Sequence, residues 1–306
     1  MNAQENMTEA AVTAETREGK IGAAVNGRFY LFTLIAAGAV ALFTALSVIF
    51  NLINAIILFV TPDKTMADLG GTRVSGIITG GIGAIAIAVI EALIPVVMIL
   101  TLLFMLKLMK DRTLISTDGV RTLSNGTGVL RLYSLFMIID NAFISFFLFL
   151  PVFRLPFSAE AAADASILKQ VFTFLDTPNV YTMFFKSFEG SKNGLGFVFV
   201  CFILALLFTG FAIVQYIALS FIKNYYKDME IYLENKNYLI EKKAPFIMPC
   251  VFAGLNAVVA IFVLISGSWI TALSSLAISA FTVLTSLFLR DFERANTASA
   301  GASEEA

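Results

Sequence analysis

The chain has 306 residues, of which 58% are hydrophobic and only 14% charged. Soluble domains run at roughly half apolar and a quarter charged, so the excess points to membrane spans rather than an aqueous core. A net charge of −1 without a basic tract excludes nucleic acid as a partner. The absence of histidine excludes HExxH metalloprotease chemistry, Ser-His dyads and histidine-dependent acyl transfer.

Residues 1–27 are polar, carry Glu5, Glu9, Glu15 and Glu18, and have no apolar core before Phe29. That composition predicts a disordered cytoplasmic tail rather than a cleavable leader. A bilayer-crossing helix needs about 20 apolar residues. Six runs meet that requirement, at 29–60, 76–106, 130–153, 194–222, 246–266 and 268–289. The predicted fold is therefore all-α, a polytopic bundle of six transmembrane helices in a domain spanning 28–294, with a disordered tail over 295–306.

Between the second and third runs, "KDRTLISTDGVRTLSNGTGVLR" has the Gly, Ser, Thr and Asp content of a turn-rich connection. The segment 154–193 contains "SAEAAADASILKQVFTFLDTP", whose apolar residues fall on one helical face. It is expected to lie on the outer membrane surface. After the fourth run, "FIKNYYKDMEIYLENKNYLIEKKAP" is expected to carry that helix into water as a solvated extension, ending before Pro245. "SGSW" around Gly267 makes the last two runs a tight hairpin.

Of the 21 lysines and arginines, 15 fall in the tails and the alternate loops 107–131 and 223–245, and 6 in the other set. The positive-inside rule then puts both termini in the cytoplasm, as an even number of spans requires. The expected location is the cytoplasmic membrane of a cell, with the lipid bilayer as solvent. Cys201 and Cys250 both fall in apolar runs, without a CxxC pair. Neither a disulfide framework nor a metal site is expected.

Gly76, Gly80, Ala84, Ala88 and Ala92 recur every four residues along the second span. Such a small-residue stripe lets another helix approach closely. Glu91, three residues past Ala88, borders the stripe and faces protein. Pro95 has no N–H, so the carbonyl of Glu91 loses its helical donor. Two oxygen functions are thereby left at one depth, which a membrane tolerates only where protein, hydroxyls or water resolve them.

Asp140 and Asn141 sit near the centre of the third span, and Asn256 near the centre of the fifth. The sixth adds a hydroxyl stripe of Thr271, Ser275, Ser279, Thr282 and Ser286. Lysine and arginine are absent from the interiors of all six spans. Two buried carboxyls without a basic partner cannot both stay ionised cheaply, so they hold protons as interhelical donors or attract a cation.

Glu91, Asp140 and Asn256 are therefore the candidate ion, proton or substrate site, with Pro95, Asn141, Ser275, Ser279 and Thr282 supporting it. No catalytic constellation, cofactor motif or phosphate-cradling GxxxxGK[ST] is present. The chain is expected not to be an enzyme and to need no cofactor. Two functions fit: a transporter or permease-type subunit moving a small solute or ion, with any ATP coupling from a separate ATPase, or a non-catalytic scaffold, assembly or regulatory subunit serving another membrane protein.

Overall fold

The computed structural model describes residues 17–60, 83–154, 194–235, 237–265 and 269–304, and over these the chain is helical. In chain order the helices are α1 (Arg17–Val25), α2 (Arg28–Val60), α3 (Gly83–Lys110), α4 (Thr117–Arg154), α5 (Gly194–Glu234), α6 (Ile247–Ile265) and α7 (Trp269–Glu304), with one 3-10 turn at Arg112–Leu114. The expected surface segment 154–193, the Gly267 corner, and Gly76 and Gly80 of the small-residue stripe lie outside the described residues.

Among the described residues five helices are long and apolar enough to cross a membrane: Arg28–Ile53, Ala88–Lys110, Ala205–Glu234, Ile247–Ile265 and Trp269–Thr297. The protein is a helical, multi-pass membrane protein. The expected third span lies on α4 and runs on into side chains outside those described.

The chain divides into two compact units. One comprises Met1–Ala45, Leu93–Ser134 and Val214–Ala306; the other comprises Leu46–Ala92 and Leu135–Ile213. In the first unit, Tyr30 of α2 donates its hydroxyl to the Met105 carbonyl of α3 at 3.0 Å. Its ring lies 5.3 Å from that of Phe288 on α7. Tyr225 and Tyr232 of α5 meet Phe292 of α7 edge-on at 6.4 and 6.0 Å. Edge-to-face geometry puts the positive ring edge against the negative face, adding directional attraction to area burial.

Four expectations about segment ends are corrected. The tail expected to be disordered over 1–27 contains α1, because Ile21, Ala24 and Val25 form a short i, i+3, i+4 stripe that is buried as α1 packs on α7. Arg17 of α1 lies 4.1 Å over the Tyr232 ring and donates to the carbonyls of Tyr232 and Asn235, closing the C-terminus of α5.

The tail expected from 295 is instead helix as far as Glu304. Its Asn296 side chain accepts from the Tyr232 hydroxyl at 2.9 Å and from the Lys20 ammonium at 3.4 Å, tying α7 to α5 and α1.

The α5 extension is not a solvated helix, since Tyr225, Tyr226, Asp228, Met229 and Tyr232 are all buried. The helix stops at Glu234, and the chain then folds back. Lys242 reaches Asp228 at 3.0 Å, and Tyr238 donates to the same carboxylate at 3.2 Å. The hydrogen bond to Asp228, and then its charge, hold the Lys242 ammonium above the ordinary lysine range. Farther on, the Ala244 N–H donates to Glu293 at 3.0 Å, and the Ser286 hydroxyl donates to the Pro245 carbonyl.

The fourth correction concerns the expected turn-rich connection, most of which is the first turns of α4. The connection proper is short. Asp111 caps the 3-10 turn by accepting from the N–H of Thr113 at 3.0 Å and its hydroxyl at 2.7 Å. The Ser and Thr that suggest a loop instead donate back along the helix, as Thr122 does to Asp118 and Ser124 to Arg121.

Gly126 serves close packing rather than a turn. A Cβ there would stand 3.2 Å from Met98 Sδ and 3.3 Å from Thr101 Cγ2 on α3. Gly126→Leu is therefore expected to cost about 1–3 kcal/mol by forcing α3 and α4 apart. Gly254→Leu, where a Cβ meets nothing within 4 Å, is the control. Thermal unfolding in detergent measures both, and equal losses at the two positions contradict the close approach.

Candidate functional site

The buried face of α3 runs Ala88, Pro95, Met98, Thr101, Met105, Leu108, at helical spacings of three, four and seven. Leu93, Val96, Leu100 and Leu103 turn outward. Glu91 falls on the inward face, three residues after Ala88 and four before Pro95, and is half-buried. Of the small-residue stripe, Ala88 is buried and Ala92 half-buried. The surroundings of Ala84 lie outside the described side chains. Pro95 is buried inside the helix, so the Glu91 carbonyl has no N–H four residues on.

Asn51 of α2 donates its amide N–H to Glu91 Oε2 at 2.9 Å. The half-buried Asp140 of α4 lies within electrostatic reach of Glu91, and buried Asn141 follows it. Asn51, Glu91, Asp140 and Asn141 all belong to the unit formed by Leu46–Ala92 and Leu135–Ile213. The two span carboxyls are thus within electrostatic reach of each other, with an amide on one of them. An amide donor satisfies a lone pair but supplies no net charge.

Sequence reasoning overlooks Asn51. The criterion that selects Asn256, a carboxamide within an apolar run, applies equally to Asn51 in "IFNLINAII".

Asn256 belongs to the other unit, where its hydrogen bonds run across the α6–α7 hairpin. Its amide nitrogen donates to the Ser275 carbonyl at 2.6 Å and to the Ser279 hydroxyl. The Ser275 hydroxyl donates back to Asn256 Oδ1 at 2.6 Å. Thr282 is fully buried and donates to the Ile278 carbonyl of its own helix at 2.7 Å. The predicted site residues therefore form two groups: a carboxyl pair with Asn51, and a carboxamide–hydroxyl staple between α6 and α7.

The carboxyl group offers oxygen donors only: two carboxyls, the Asn51 carbonyl and the Glu91 backbone carbonyl that lacks an N–H from Pro95. Oxygen-only sets suit protons and hard cations rather than thiophilic metals. Among the described residues no three of His, Cys, Asp and Glu cluster to hold a metal. The lysine and arginine that would neutralise a carboxylate are missing from the interior of every apolar run, Arg131 standing at the end of one. The chain matches no protein-family model, no curated protein and no solved structure.

Proposed function

We propose that this protein is a permease-type transporter of the cytoplasmic membrane, with six spans and both termini inside, which moves a proton or small cation through the Asn51–Glu91–Asp140 group. One observation carries the reading. Glu91 takes its hydrogen bond from a neutral amide, a second carboxyl lies within electrostatic reach, and no basic residue stands in the interior of a span. Ionised, the pair lacks one or two positive charges, and a visiting proton or cation supplies them. The Glu91 carbonyl freed by Pro95 is an additional oxygen ligand for a partly dehydrated ion.

The orientation rests on the distribution of basic residues. A reporter fused at Asp118 or Asn235 is expected to read cytoplasmic, and one after Arg154 external. A cytoplasmic signal after Arg154 removes the third span and, with it, the placement of Asp140.

A second reading, a scaffold or assembly subunit, is favoured by the α6–α7 staple, in which buried polar groups only join helices. The Asn51–Glu91 bond would then join α2 to α3 in the same way. Flux into liposomes separates the two. Purified protein in sealed vesicles, under an imposed pH or monovalent-cation gradient, is expected to move ions above the protein-free rate. A rate equal to that of empty vesicles under every gradient defeats the transport reading. An ATPase that copurifies with the chain makes it the membrane subunit of an ATP-driven system.

A further inference from the structure

Arg121 of α4 pairs with Glu230 of α5 at 3.7 Å. Farther along the same two helices stand two more cations, Lys223 on α5 and Arg131 on α4. The Lys223 ammonium lies across Gly128, 3.0 Å from where a Cβ on that glycine would stand. The Arg131 guanidinium lies 5.8 Å from the Tyr216 ring centroid. Among the described residues neither Lys223 nor Arg131 has a carboxylate within ion-pair distance.

The sequence fixes their depth. Lys223 is the first charge after the apolar run 194–222, and Arg131 is the last before the apolar stretch 132–139. Both therefore stand at the edge of the hydrocarbon, where headgroup phosphates lie.

Two hydroxyls complete the pattern. Thr127 and Ser220 carry buried side-chain oxygens with no hydrogen-bond partner. Thr127 precedes Arg131 by one helical turn on α4. Ser220 lies one turn from Tyr216 and from Lys223 on α5, so each hydroxyl shares a face with its cation.

We propose that this α4–α5 face binds the phosphate headgroup of an anionic phospholipid. A phosphodiester offers only acceptor oxygens, and this face offers it an ammonium and a guanidinium, with two buried hydroxyls beneath them that can also donate. A zwitterionic headgroup brings its own ammonium, which the two cations repel. Gly128 leaves the space in which the lysine lies over α4, and Tyr216 supports the guanidinium plane from behind.

Native mass spectrometry of the full chain in detergent, titrated with phosphatidylglycerol or phosphatidylcholine, tests this. Wild type is expected to retain phosphatidylglycerol and release phosphatidylcholine. Arg131→Gln and Lys223→Gln are each expected to weaken phosphatidylglycerol binding about fivefold, and the double variant about thirtyfold, as the attraction of one basic side chain to an anionic leaflet implies. Lys243→Gln, on an exposed loop lysine, is expected to change nothing.

Equal retention of the two lipids by wild type overturns the proposal, and that comparison needs no variant to fold. Should the glutamine variants misfold, the charge-preserving pair Arg131→Lys and Lys223→Arg is expected to keep the lipid preference, and its loss counts against the site. Displacement of the lipid by millimolar inorganic phosphate alone overturns it in favour of a soluble anion.

Discussion

Glu91→Gln is expected to yield a protein that expresses and unfolds like wild type while its ion flux into liposomes falls to the protein-free rate. Glutamine keeps the length of the side chain, and its carbonyl oxygen still accepts from Asn51. What it loses is the titratable proton and the charge, which are what a proton or cation site uses. Glu91→Ala differs in kind. It leaves the Asn51 amide without its acceptor and is expected to cost about 1–3 kcal/mol of stability whatever the function.

Pro95→Ala tests the backbone carbonyl separately. Alanine restores an N–H to the Glu91 carbonyl, and a proline within a helix costs about 3 kcal/mol relative to alanine. The variant should be the more stable protein and the poorer transporter. Wild-type flux in both Glu91→Gln and Pro95→Ala leaves the scaffold reading in place.

The second large effect is expected at the α6–α7 hairpin. Asn256→Ala removes three hydrogen bonds at once and leaves the Ser275 hydroxyl without its acceptor, while Ser279 keeps its bond to the Ser275 carbonyl. Interhelical hydrogen bonds in membranes contribute about 0.6 to 2 kcal/mol each, so a loss of about 2–4 kcal/mol is expected. A double-mutant cycle with Ser275→Ala isolates the pair, and the two losses should be far from additive. Additive losses show that the two side chains do not act as one network. Flux should be unchanged in any Asn256→Ala protein that remains folded, because Asn256 bonds within the hairpin and not to the carboxyl pair.

The apolar runs made most helices legible, because about 20 consecutive apolar residues leave few alternatives to a span. The ends were less legible, for two physical reasons. Gly126 has the composition of a turn, but its missing side chain serves the contact with Met98 and Thr101. Periodicity cannot tell these uses of glycine apart. The short stripe of Ile21, Ala24 and Val25 is too sparse to read as a helix until α7 is there to cover it. Its stability is tertiary, not local.

The candidate site divides similarly. The chemistry of Glu91, Asp140 and Pro95 was readable one residue at a time. That Asn51 meets Glu91, while Asn256 turns to Ser275, depends on how the helices pack, which no single segment encodes.

The seating of α1 on α7 sets an order of events during synthesis. Lys20 and its partner Asn296 are 276 positions apart, so almost the whole chain is made between the first helix and the surface that covers it. At about 5–20 residues per second the wait is about 15 to 55 seconds. Throughout that interval Ile21 and Val25 lack the α7 surface that covers them. A ribosome that stalls before α7 therefore leaves a nascent chain whose first helix still bears an uncovered apolar stripe. Synthesis of α7 is what allows α1 to be covered.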